Sequence, residues 1–229
     1  MSLLRQLSVL SLSLLLLASC NEKSDSATST PPASSTPCLD ILNKQLSATT
    51  YAAGLYNAGE TSINQWMIAY ATPDHSQLQQ IMTNIENSLG LGSVAGGVAF
   101  GYGIDSLEIC SSSVVNSDKI SSLSEKVAAK KAKAKTLSAA APTDACTTLV
   151  GNLSSKSTAV TASLNTLESS LKNAISVASD PAKVKAAAEA VFIDSTLLME
   201  KLGSLADFVD ANKPALKTCS TASAAKAAK

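Results

Sequence analysis

The sequence has one histidine, His75, and aromatic residues make up only 3% of the chain. A single imidazole cannot supply the histidine pair that many metal sites use. No Cys-x-x-Cys, Gly-x-Ser-x-Gly, His-Glu-x-x-His or phosphate-binding Gly-Lys motif occurs. The carboxylates are scattered, with no pair that the pattern places in a cleft. These absences argue against an enzyme, a resident metal or a cofactor, and no small-molecule substrate is evident. His75, just after Pro73, reads as an ordinary exposed polar residue. Excess charge is missing as well, with 18 Lys+Arg against 18 Asp+Glu. A chain without a basic surplus has no electrostatic footprint for nucleic acid.

What is present begins at the amino terminus. After Arg5, an apolar run from Leu7 to Leu17 is broken only by serines. It is too short to span a bilayer but the right size for the core of a signal peptide. It ends in Leu17-Ala18-Ser19-Cys20. This resembles the lipobox of bacterial lipoproteins, over residues 1–20 only. The resemblance implies cleavage before Cys20, a diacylglycerol on its thiol and an acylated amino terminus, palmitate being a typical chain. Asn21, where aspartate would signal inner-membrane retention, implies delivery to the outer membrane, facing either the periplasm or the outside. The rival readings are an ordinary secretory peptide or an anchor helix. Residues 21–37, NEKSDSATSTPPASSTP, are rich in Ser, Thr and Pro and read as a disordered tether after the lipidated cysteine.

Four further cysteines remain: Cys38, Cys110, Cys146 and Cys219. An even count in an exported chain points to two disulfides. The spacings, 72 and 73 residues, are nearly equal, which is a mark of an internal repeat. An offset of 108 sets Cys38 on Cys146, Pro73 on Pro181, Ile63 on Leu171, Ile85 on Ile193, Leu89 on Leu197 and Val94 on Leu202. One inserted residue then sets Leu107 on Leu216 and Cys110 on Cys219. The ordered landmarks indicate a tandem duplication.

Each copy reads as a helical hairpin. Ile41, Leu42, Leu46, Tyr56, Ile63, Met67 and Tyr70 recur at helical spacing in the first copy. Leu149, Leu153, Val160, Leu164, Leu167, Leu171 and Ile175 do so in the second. Thr72-Pro73 and Asp180-Pro181 read as an N-cap followed by proline in the first helical turn. Second helices are therefore expected from Asp74 and from Pro181. The fold class is all-α: two duplicated hairpins, four-helix-bundle-like, with a linker helix between them. The segments are a signal peptide over 1–19, a tether over 20–37, hairpins over 38–110 and 146–219, a linker over 111–145 and a disordered tail over 220–229. Turning at Pro73 brings Cys38 beside Cys110, so the bridges Cys38–Cys110 and Cys146–Cys219 would each clamp an open end. All four cysteines are expected near one end, which leaves cross-pairing open.

In such a hairpin the numbers of facing residues sum to about 148, the sum for Cys38 and Cys110. The stretch LGLGSVAGGVAFGYGI, residues 89–104, has six glycines and no charge, and its part from Gly90 to Gly97 would face Tyr51 to Ala58. Trp66 would face Met82. Each interior glycine costs a helix up to about 1 kcal/mol against alanine. One compensation is close helix packing, with Tyr51 and Tyr56 laid over the opposite glycines. The other is membrane insertion, since Gly92-x-x-x-Gly96 and Gly97-x-x-x-Gly101 match a membrane helix-packing pattern. The equivalent stretch of the second copy carries Glu200, Lys201, Asp207 and Asp210, which favours packing. Six of the eight aromatics lie in the first hairpin. Tyr51, Tyr56, Trp66, Tyr70, Gly92, Gly96, Gly97 and Gly101 are the candidate contact surface. Lys126, Lys130, Lys131, Lys133 and Lys135 close a linker helix expected over about 117–137. They fit either a solvated helix end or contact with anionic head groups. The expected protein is a lipid-anchored, non-catalytic binding, scaffolding or inhibitor-type module with a protein partner on the envelope. The alternative is a membrane-active helical protein that inserts residues 89–104.

Overall fold

A computed structural model describes residues 37–72, 75–111 and 145–221. The expected signal peptide, Cys20, residues 21–36 of the expected tether, the expected linker helix with its lysines and residues 222–229 lie outside the described residues, whereas Pro37, Ser111, Ala145, Ser220 and Thr221, expected outside the hairpins, belong to helices. Four helices form the described part: α1 (Pro37–Ala71), α2 (Leu78–Ser111), α3 (Ala145–Ser176) and α4 (Pro181–Thr221). Pro37 opens α1 where a missing N–H is harmless, and Asp40 in its first turn complements the helix dipole. At 32 to 41 residues the helices run roughly 50–60 Å at about 1.5 Å per residue.

α1 and α2 form one antiparallel hairpin and α3 and α4 the other. The disulfides Cys38–Cys110 and Cys146–Cys219 close them, with Cα separations of 4.8 and 5.5 Å. The expected facing rule holds. Gly59 abuts Leu89, Tyr56 covers Gly92 and Gln45 lies against Gly103.

The two hairpins lie antiparallel to each other. α1 borders α2 and α3, and α4 borders α2 and α3. Along α2 and α4, Gly103 meets Ser195, Gly96 meets Leu202, and Met82 shares a cleft with Leu216. Numbers that fall on one helix while rising on the other mean opposite chain directions. Cys219 therefore lies toward the turn of the first hairpin, and Cys110 toward the turn of the second. This corrects the expectation that all four cysteines gather at one end. The bridges staple opposite ends of the bundle, which separates the cysteines of one hairpin from those of the other. α2 ends at the end of the bundle opposite to the start of α3.

The duplication is visible in what each copy buries. Val150, Leu153, Ser157, Val160, Leu164, Leu167, Leu171 and Ala174 are buried in α3, and the eight residues 108 positions earlier are all buried in α1. The second helices follow a different offset. Val184, Ala187, Ala188, Val191, Ser195, Leu198, Leu202 and Leu205 of α4 correspond in burial to α2 residues 106 positions earlier. The offset becomes 109 only at Leu216, Cys219 and Ser220. The pairings of Ile85 with Ile193, Leu89 with Leu197 and Val94 with Leu202 are thus corrected to Ile85 with Val191, Leu89 with Ser195 and Gly96 with Leu202. The two copies have turns and second helices of different length, so no single offset serves both.

The two turns differ for a chemical reason. Asp180 is the N-cap expected of it: its Oδ1 accepts from the backbone N–H of Ala182 at 3.1 Å and Lys183 at 3.3 Å. Thr72 instead donates its hydroxyl backwards to the Ala69 carbonyl, at 2.8 Å. That contact finishes α1 rather than starting α2. The N–H of Leu78 bonds to the His75 carbonyl, and α2 begins at Leu78, not at Asp74.

Candidate functional site

The expected contact surface divides between core and exterior. Tyr56 and Trp66 are fully buried, and Gly92 and Gly96 are buried with them. Tyr56 lies over Gly92, so near that a Cβ there would sit 2.8 Å from its ring. Its hydroxyl is 2.8 Å from Ser93 Oγ. Burial pushes the phenol up to about 12, and the Ser93 hydrogen bond opposes this more weakly. Trp66 stacks on half-buried Tyr70 with centroids 4.7 Å apart. Its indole N–H has no hydrogen-bond partner. His75 meets Tyr70 edge-on at 5.9 Å. Tyr51 does not cover a glycine; it is 63% exposed, because its helical position points it away from α2. Gly97 and Gly101 face open space. Tyr56, Trp66, Gly92 and Gly96 are therefore internal packing groups, and the surface keeps Tyr51, part of Tyr70, Gly97 and Gly101.

Residues 89–104 thus hold two helices close on their inner side. Gly92 admits Tyr56 from α1, Gly96 admits Leu202 from α4, and Gly103 admits Gln45 and Ser195 together. Around Gly103 lies a buried polar triad that joins three helices. Ser106 Oγ donates to Gln45 Oε1 at 3.0 Å, and Gln45 Nε2 donates to Ser195 Oγ at 3.0 Å. All three side chains are fully buried, and the Ser195 hydroxyl donates in turn to the Val191 carbonyl. A satisfied network of this kind carries no reactive group. It fixes how the hairpins register, because displacing one member strands the others without partners. On its outer side the same stretch leaves Leu91 57% and Ile104 39% exposed.

One concavity opens between α2 and α4, with a volume of about 320 Å³. Met82, Ile85 and Leu89 form one wall, and Leu205, Val209 and Leu216 the other. Leu153 of α3 is the floor. Glu86 from α2 and Asp210 and Lys213 from α4 also line it. Gly90 and Ser93, small residues on α2, leave the space unfilled. An apolar cavity of this size with a few polar groups has the form of a small ligand site. Nothing in the sequence groups these residues as a site. Their only trace in the chain is the small side chains at Gly90 and Ser93, and the cleft exists only where two hairpins, distant in sequence, meet.

Among the described residues no cluster of His, Cys, Asp and Glu could hold a metal ion. No described helix is long and apolar enough to cross a membrane. No protein-family model, curated protein or solved structure matches the chain.

Proposed function

We propose that this chain is a non-catalytic binding module, exported and anchored in the bacterial envelope by lipid on Cys20, with the bundle presented at the end of the tether. The observation that carries this reading is the pair of disulfides, one stapling each end of the bundle. Such bridges persist in oxidising compartments and belong with export. An amino-terminal segment similar to that of lipoproteins agrees with it. Multiple acyl chains hold a protein firmly at a membrane without help from its folded part. Labelled palmitate should enter the full chain and stay in the membrane fraction. Cys20→Ser should abolish the label and release the protein. Label that persists in Cys20→Ser, or a wild-type chain that takes no label and leaves the membrane fraction, would overturn the anchor.

The membrane-active alternative has one observation in its favour: the exposed Leu91 and Ile104 within the uncharged stretch 89–104 of α2. Against it, the inner face of the same residues is occupied by Tyr56, Leu202 and the Gln45 triad. Insertion would require the bundle to open, against the Cys38–Cys110 bridge. Release of dye from liposomes by oxidised protein, lost on Gly97→Asp, would favour this alternative.

A further inference from the structure

We infer that the cleft between α2 and α4 is a binding site for a single-chain amphiphile with a cationic amine head group. This rests on the bundle being a binding module but not on its lipid anchor. The shape argues for one aliphatic chain. The walls are Met82, Ile85 and Leu89 facing Leu205, Val209 and Leu216, and about 320 Å³ equals roughly ten water volumes. That space is too small for the two chains of a phospholipid. Met82 adds a side chain that adapts to an irregular occupant.

The charge argues for the head group. Glu86 and Asp210 come from opposite walls and Lys213 from the α4 wall, so the lining is net acidic. None of the three is ion-paired to another. Two carboxylates that share one unattached ammonium favour a cation placed between them and disfavour a carboxylate there. An ammonium on an alkyl chain meets both requirements: the chain lies on the apolar floor and the head sits between Glu86 and Asp210. Gly90 gives a clean way to close the site, because a side chain there meets nothing within 4 Å and would project into space that is now empty.

The probe is decylamine below its aggregation concentration, added to the oxidised full chain carrying methyl-labelled methionine. Met82 lines the cleft and Met199 does not, so their methyl resonances separate binding in the cleft from binding elsewhere. Decylamine should shift Met82 saturably and leave Met199 in place. Decanoate, with the same chain length and the opposite charge, should bind about tenfold more weakly. Gly90→Leu should weaken decylamine by at least about tenfold, while Gly101→Leu, an equally open glycine outside the cleft, should leave it unchanged. Glu86→Gln with Asp210→Asn should erase the preference for the amine. A Met82 resonance that does not move, or that moves equally in Gly90→Leu, would overturn the site. Decanoate binding as tightly as decylamine would overturn the head-group assignment. Palmitate labelling of Cys20 is read separately, so failure of the anchor and failure of the cleft cannot be confused.

Discussion

Glycines in one helix play opposite parts here, and what stands opposite each decides which. Gly92 has Tyr56 against it, and a methyl group there must displace a buried, hydrogen-bonded ring. Gly97 meets nothing within 4 Å. Gly92→Ala should therefore destabilise by about 1–2 kcal/mol, the overpacking exceeding the gain in helix propensity. Gly97→Ala should stabilise by about 0.5–1 kcal/mol. Denaturant midpoints of the two variants measured side by side check both signs. The Tyr56 phenol adds a pH dependence. Its folded pKa, about 12, lies above the ordinary 10.0. The unfolded chain thus loses this proton first, and the stabilisation is complete below pH 10. It is lost as pH rises toward 12, by about 3 kcal/mol in all. Tyr56→Phe should flatten that part of the alkaline stability curve. Neither effect was legible from composition. The sequence places a tyrosine opposite a glycine-rich stretch, but the side on which Tyr51 and Tyr56 point follows from helix phase.

At the scale of elements, the copies solve one packing problem with different residues. Tyr56 and Gly92 occupy the positions that Leu164 and Leu198 hold in the second hairpin, and Gly59 and Leu89 those of Leu167 and Ser195. A large residue on one helix is offset by a small one on its partner, which keeps the total volume near what a close-packed core requires. Because the exchange runs across helices, matching the copies residue by residue hides it. The turns diverge for a related reason. Asp180 serves as an N-cap, and its carboxyl is held below the usual range chiefly by Lys183, whose side chain is 2.9 Å away. That contribution is present above the ordinary aspartate range and fades as pH falls through the lowered pKa. Asp180→Ala should lower Tm by a few degrees near neutrality. The difference from wild type should shrink in acid. A deficit that stays constant in acid would count against the ionised cap. The helices themselves and the proline-marked turns were legible in the chain, since apolar periodicity and caps are local. The start of α2 was not, because a threonine before proline can serve the helix behind it as well as the one ahead, and Thr72 donates its hydroxyl back to Ala69.

For the whole molecule the deciding feature is that the hairpins lie antiparallel. Ser195 Cβ lies 3.2 Å from where a Cβ on Gly103 would be, shorter than the roughly 3.5–4.5 Å a disulfide spans, so a bridge needs the helices to part by only a few tenths of an ångström. Gly103→Cys with Ser195→Cys should therefore oxidise to a third bridge. Peptide mapping should recover residue 103 linked to residue 195 beside the two native pairs. Hairpins packed in parallel would give no such link. Two hairpins closed at opposite ends leave no free open end at which to fray, and closing loops of 72 and 73 residues stabilises by about 4 kcal/mol each in the entropic account.

Local and near-periodic properties came from the sequence alone: the all-α class, the duplication and the facing rule within a hairpin, while the choice between clamped hairpins and cross-paired cysteines waited for the two bridges. These follow from the 3.6-residue repeat and from chain connectivity, and both are written along one dimension. The relative direction of the two hairpins, the burial of Tyr56 and Trp66, the triad of Gln45, Ser106 and Ser195 and the cleft between α2 and α4 were decided only by tertiary structure. Each depends on which helix faces which across the bundle. Two amphipathic hairpins can bury their apolar faces in either direction, so periodicity is silent on that choice. Side-chain volume at the contacts and the partners of a few buried polar groups settle it.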